Sequence, residues 1–161
     1  MASEETTLEV GAKAPVFTAF DSDGNEYDLE TMNADGKHVI LYFYPKDNTP
    51  GCTVQACDFR DDMGNLSSSG FIVLGVSKDS AKSHDKFTSD HNLNFPILMD
   101  EELELHQAFG VWREKMNYGK TYMGTSRSTF VINPDGEIIW VGYNVKAKGH
   151  VNNLTRELGL E

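Results

Sequence analysis

Residues 39–44 read V-I-L-Y-F-Y, six apolar or aromatic side chains in succession. A strand with one wet face alternates polar and apolar; a run without alternation suits a strand covered on both faces. A second such run, F-I-V-L-G-V-S, occupies 71–77. Strands of this kind belong to sheets sandwiched between helices. The segments around them agree. V-F-T-A-F (16–20), D-S-D-G-N and E-Y-D-L read as an N-terminal hairpin. Pro50 to Leu66 carries a helical period, and 80–91 reads as a polar helix. F-P-I-L-M-D (95–100) is a short strand and 101–109 a short helix. S-T-F-V-I-N (128–133), P-D-G and E-I-I-W-V-G-Y (137–143) form a hairpin with a clear turn signal. Residues 150–158 close the chain with a helix, and 110–127 read as a long irregular loop, a length that compact domains tend to reserve for function.

The order is hairpin, β-α-β-α-β-α, hairpin, α. With right-handed crossovers this fits an α/β, thioredoxin-like fold: a central mixed β-sheet flanked by helices, with an N-terminal β-hairpin addition. Residues 1–161 read as a single domain, with no repeat and no linker to split it. A chain of this length, 39% hydrophobic, can bury a core without staples, so its two cysteines are not needed to rescue the fold. The 14 basic and 25 acidic residues give a net charge of −11. That argues against a nucleic-acid binder and against docking on an anionic membrane. The opening M-A-S-E-E-T-T-L-E-V lacks a basic n-region and an apolar h-region, and no run approaches a membrane span. The expected location is the cytoplasm, where a cysteine pair is more often catalytic or metal-binding than structural.

Both cysteines stand in Y-P-K-D-N-T-P-G-C-T-V-Q-A-C, residues 44–57. Cys52 follows a strand and falls in the opening turn of the next helix. Free N–H groups and the helix dipole favour an anion there, so a reactive thiolate is the first reading and a buried inert thiol the second. His38, His84, His91, His106 and His150 are scattered, without zinc-ligand spacing. A zinc site is the weaker reading. A dithiol–disulfide pair with Cys57 remains. In a straight helix, residues five apart have Cα atoms roughly 8–9 Å apart, from the helical rise and radius. A disulfide wants about 4.4–6.8 Å. A Cys52–Cys57 bond would therefore need local unwinding and would be a switched state.

P-K-D-N-T-P-G-C matches the P-x-x-x-T-x-x-C pattern of peroxiredoxins. The longer Y-F-Y-P-K-D-N-T-P-G-C-T-V-Q-A-C-D-F-R-D resembles the bacterioferritin-comigratory, or Q-type, branch of that family, as does F-G-V-W-R-E-K-M-N-Y-G-K-T-Y-M-G-T-S-R-S-T-F-V-I-N-P-D-G downstream. The resemblance runs from about residue 7 to the end. It implies a peroxidase acting on hydrogen peroxide or organic hydroperoxides. Cys52 would be the peroxidatic thiolate, oxidised to a sulfenic acid, and Cys57 the resolving thiol that condenses with it. Arg127 would pair with the thiolate and the departing oxygen; its plainer reading is a surface loop arginine. Thr49 would hold the peroxide, or simply cap the helix. Pro45 would shape the pocket, or merely end a strand. Gly51 would let the backbone approach the substrate, or only make a turn. Gln55 stands where many relatives carry Glu. It can accept a hydrogen bond from Arg127 without neutralising it, or be an ordinary helix-surface residue. Thioredoxin, or a similar dithiol, would be the reductant. A monomer is implied, since an intramolecular disulfide needs no second chain, and a weak dimer through the pocket edge is compatible with it.

Trp112, Met116, Tyr118, Tyr122 and Met123 read first as loop packing over the core, and second as an apolar rim for organic hydroperoxides or a reductant. His84 and His91 read as part of a solvated helix face. Asp100, Glu101, Glu102 and Glu104 read as a capped helix start rather than a metal site. Two other functions share the same cysteines: a dithiol oxidoreductase, and a redox-sensing binding protein that remodels its helix. The first is weakened by the absence of C-x-x-C and of a proline at position 127.

Overall fold

The computed structural model describes residues 7–160. The acidic start read for a leader lies mostly outside them. Among the described residues no helix is long and apolar enough to cross a membrane. The first hairpin is β1 (Thr18–Phe20) and β2 (Glu26–Asp28), shorter than expected. Its turn is tied by the Asp21 carboxylate, which accepts from the backbone N–H of Asp23 and Asn25, both at 2.9 Å. A helix the sequence did not announce follows, α1 (Leu29–Ala34). Asp28 caps it by accepting from Thr31 N–H at 3.0 Å.

The two apolar runs are β3 (His38–Phe43) and β4 (Phe71–Ser77), paired in parallel, with β5 (Ile97–Met99) parallel to β4. On the other side, β8 (Ser128–Ile132) lies antiparallel to β3, and β9 (Ile138–Gly142) antiparallel to β8. The five-stranded order β5-β4-β3-β8-β9 is a mixed sheet with β3 at its centre. α2 (Pro50–Ser68), α3 (Ala81–His91), α4 (Glu104–Ala108) and α5 (His150–Glu157) complete the covers.

Side chains of β3 alternate between two cores, as a pleated strand requires. Val39, Leu41 and Phe43 join Leu29 and Met32 of α1, Phe109 and Phe130. Ile40 and Tyr42 join Cys52, Ala56, Phe59 and Leu66 of α2, Phe87 of α3 and Leu154 of α5. Tyr42 stacks on Phe59 at 4.6 Å between centroids. This packing holds the first turns of α2 against the end of the central strand.

The expected loop at 110–127 is instead a second hairpin, β6 (Trp112–Asn117) and β7 (Lys120–Thr125). Its two-residue turn places Tyr118 at φ 51° and Gly119 at φ 76°, the positive angles a tight hairpin turn demands. Met116, Tyr118, Tyr122 and Met123 do not cover the core. They are exposed, Tyr118 at 98%. Trp112 alone turns inward, edge-on to His106 at 6.0 Å. The acidic run does cap a helix: Asp100 accepts from the N–H groups of Leu105 and His106 at 3.0 and 2.8 Å.

Candidate functional site

The chain leaves β3 at Phe43, passes Tyr44 and Pro45, and enters α2 at Pro50. Thr49 occupies the N-cap position, Pro50 the first helical position and Cys52 the third. Proline suits that place, because its missing N–H is one the helix could not satisfy. The helical ladder starts with Thr53 N–H on Thr49 C=O at 2.8 Å. The N–H groups of Gly51 and Cys52 precede it, at the positive end of the helix dipole. No acidic residue stands in this first turn.

Cys52 is 2% exposed and Cys57 half-buried, and both are free thiols. Arg127, on the short connection between β7 and β8, reaches across from 75 positions away. Its Nη2 donates to Cys52 Sγ at 3.3 Å and its Nη1 to Gln55 Oε1 at 2.7 Å. Its carbonyl accepts from Val145 N–H at 2.8 Å, which fixes the backbone below the guanidinium. Gln55 is not a surface residue. It is fully buried, and its Nε2 has no hydrogen-bond partner among the described residues. The guanidinium can only donate, so the amide oxygen must face it.

Gly51 has a steric reason to be glycine. A Cβ there would stand 3.2 Å from Arg127 Nη2 and 3.5 Å from Ala147 Cβ. An alanine would press on the cation that touches Cys52. Thr49 makes no capping bond with its side chain; its Oγ1 donates to Lys46 C=O at 2.8 Å. That leaves the hydroxyl oxygen as an acceptor at the mouth of the helix. Pro45 is half-buried in the same loop. The structure thus gathers Cys52, Gln55, Gly51 and Arg127 by direct contact, and sets Thr49 and Pro45 on the adjoining loop. Cys57 lies on the same unbroken helix as Cys52.

Three groups near the site were not singled out in the sequence. Tyr42, entirely buried below Cys52, has no partner for its hydroxyl among the described residues. Burial, then the nearby Cys52 and Asp47, push its phenol well above its ordinary range. His150 opens α5 and pairs with Thr129 Oγ1 at 2.9 Å. Burial, reinforced by the charge of Arg127, lowers it to about 4, so it is neutral at pH 7. Asp47 is 5% exposed and carries a cluster of bonds. It accepts from Tyr44 Oη at 2.5 Å and Ser83 Oγ at 2.8 Å, and it lies 2.6 Å from His84 Nδ1. Burial raises its carboxyl, but the bonds from His84 and Tyr44 and the charge of His84 outweigh that and leave it below its usual value. His84 is therefore no solvated residue; it is 1% exposed. Its one sequence signal is Phe87, three positions on, which puts both on one helix face. Among the described residues no group of three or more His, Cys, Asp and Glu could hold a metal ion.

The arrangement supplies a thiol at a helix N-terminus, a fixed cation on its sulfur and first-turn N–H groups that precede the helical ladder. Such a set can receive negative charge on a departing oxygen. The model of the AhpC/TSA family matches residues 10–141. Peroxiredoxin Bcp of Bacillus subtilis is 46% identical over 152 residues, covering 94% of this chain and 96% of that protein. Peroxiredoxin Bcp of Escherichia coli is 43% identical over 143 residues, covering 89% and 90%. A structure of the bacterioferritin comigratory protein of Xanthomonas campestris, solved as trapped intermediate and ligand complexes bearing on alkyl peroxide reduction, superposes with a TM-score of 0.83. Its identity is 36%, with 89% of this chain and 90% of that one covered.

Proposed function

The chain belongs to the AhpC/TSA family and is a peroxiredoxin, a thiol peroxidase of the Bcp type, and from that premise we propose a role for each residue around Cys52. The observation that carries the reading is Arg127, which donates at once to Cys52 Sγ and to the buried Gln55. Cys52 attacks the terminal oxygen of hydrogen peroxide or an organic hydroperoxide. An S–O bond forms, the O–O bond breaks, and the leaving oxygen takes up a proton as water or an alcohol. Arg127 and the N–H of Cys52 hold the charge that builds on the oxygens. Thr49 accepts from the peroxide O–H, and Pro45 walls the pocket. Gly51 leaves room for the guanidinium. Cys57 then attacks the sulfenic sulfur, expelling water and forming the intramolecular disulfide. An external dithiol, with thioredoxin the expected one, restores both thiols. The enzyme works as a monomer in the cytoplasm and needs no cofactor, because the redox equivalents reside in its two sulfurs.

One equivalent of hydrogen peroxide added to the reduced protein tests this, with the thiols mapped by mass spectrometry. Both thiols should vanish together into a Cys52–Cys57 link, and Cys57→Ser should accumulate a sulfenic acid on Cys52. Thiols that react no faster than free cysteine would defeat the assignment.

A further inference from the structure

The loop that carries Pro45 and Thr49 has its own anchor. Asp47, in its middle, is bound on every side. Its carboxylate meets Tyr44, just past the end of β3, and both Ser83 and His84 from α3, and its backbone N–H donates to Asp79 Oδ2 at 2.8 Å. Asp79 is held in turn by Ser77 Oγ at 2.8 Å. Beyond Asp47, Asn48 sits at φ 58° and bonds through its side chain to His91 at 2.9 Å. The far nitrogen of His84 faces Leu98 C=O at 3.2 Å. A fully buried charged cluster is a costly way to secure a loop, since apolar packing would stabilise as well or better. What such a cluster adds is a unique geometry.

We propose that Asp47 and His84 are positioning residues for peroxide reduction: they fix the Pro45–Thr49 loop so that the Thr49 hydroxyl and the Pro45 ring stand in register with Cys52. The inference rests on the reading of Cys52 given above. Neither residue touches the substrate. Their effect runs through the backbone of a five-residue loop, whose Thr49 carbonyl also receives the first helical bond of α2. Misplacement of a positioning group by about 1 Å can lower a rate about a hundredfold.

Histidine offers a discriminating pair of substitutions. Asparagine places its amide nitrogen near the position of Nδ1, and glutamine near that of Nε2. His84→Asn therefore keeps the bond to Asp47 and gives up Leu98, whereas His84→Gln does the reverse. Both disturb the same buried site. Reaction of reduced Cys52 with hydrogen peroxide and with cumene hydroperoxide is followed by stopped flow. Alkylation by iodoacetamide is measured in parallel, because it needs the thiolate and no peroxide site. His84→Gln and Asp47→Asn should lose about ten- to a hundredfold in both peroxide rates, with alkylation changed less than about threefold. His84→Asn should stay within about threefold of wild type. Tyr44→Phe, which removes one bond and keeps the ring, should fall between them and serves if Asp47→Asn does not fold. Met32→Ala, in the opposite core, reports what lost stability does alone. Peroxide rates that follow the melting temperatures across all variants, or that fall equally in His84→Asn and His84→Gln, would overturn the inference. A wild type no faster than free cysteine would instead overturn the reading of Cys52, and this inference with it.

Discussion

A guanidinium carries five donors and no acceptor, so the groups that face it decide how its charge is shared. Arg127 divides its contacts between the neutral amide of Gln55 and the sulfur of Cys52. Gln55 fixes the direction of the guanidinium yet takes none of its charge. A glutamate of the same shape would turn the orphaned Nε2 into a second carboxylate oxygen, at a position that is itself fully buried. An ion pair with Arg127 would then compete with the thiolate for the one cation. Gln55→Glu should lower the fraction of Cys52 present as thiolate at neutral pH, read from its ultraviolet absorbance, and slow the peroxide reaction severalfold. An equal or larger thiolate fraction in the variant would show that position 55 only orients the arginine.

Helix α2 runs unbroken through both cysteines, and that continuity keeps them apart. The five-residue spacing leaves roughly 8–9 Å between Cα atoms, against about 4.4–6.8 Å for a disulfide. Oxidation must therefore unwind about the first two turns. Cys52, Ala56 and Phe59 lie in one apolar cluster with Tyr42, so unwinding also draws apolar surface from the core. Hydrogen exchange measured on reduced and oxidised protein should show protection lost at the amides of residues 53–58 and kept in β3 and β8; equal protection in both states would mean the bond forms without melting the helix. The same contrast between local and distant information explains what the sequence could tell. The central strands were legible because two covered faces leave an uninterrupted apolar run. Hairpin β6–β7 was not, because its outer half is exposed and Asn-Tyr-Gly-Lys lacks the Asn-Gly turn that would have marked it. Helix α1, with six residues, is too short to show a period. Cys52 and Cys57 were visible as neighbours, but Arg127, 75 positions from Cys52, was reached only through family likeness. The link from Asp47 to His84 had no signal at all, since it joins a loop to a helix 37 positions later.

Stability of the whole molecule is tied to the cation of the site through His150. Burial and Arg127 hold this imidazole at about 4 in the native state, against 6.5 in the unfolded chain. Above pH 6.5 neither state binds the proton and the residue has no effect on folding. As pH falls from 6.5 to about 4 the unfolded chain takes up the proton first, so the native state loses stability, in total by about 3 kcal/mol. His38, also lowered by burial, adds a smaller contribution of the same sign. Asp47 acts in a separate window. Its lowered carboxyl contributes stability at neutral pH that is lost only as the pH drops below 3.8 and through its native value. Urea midpoints between pH 7.5 and 4.5 should therefore decline in the wild type. In His150→Gln, which cannot titrate and whose amide stands near the position of Nε2 and so can keep the bond to Thr129, most of that slope should disappear. Parallel slopes in the two proteins would refute the assignment. The sign also has a chemical consequence: a neutral His150 leaves Arg127 as the positive charge in contact with Cys52. Protonating the imidazole would add a second buried cation near the guanidinium, and the fold resists that charge until the pH approaches 4.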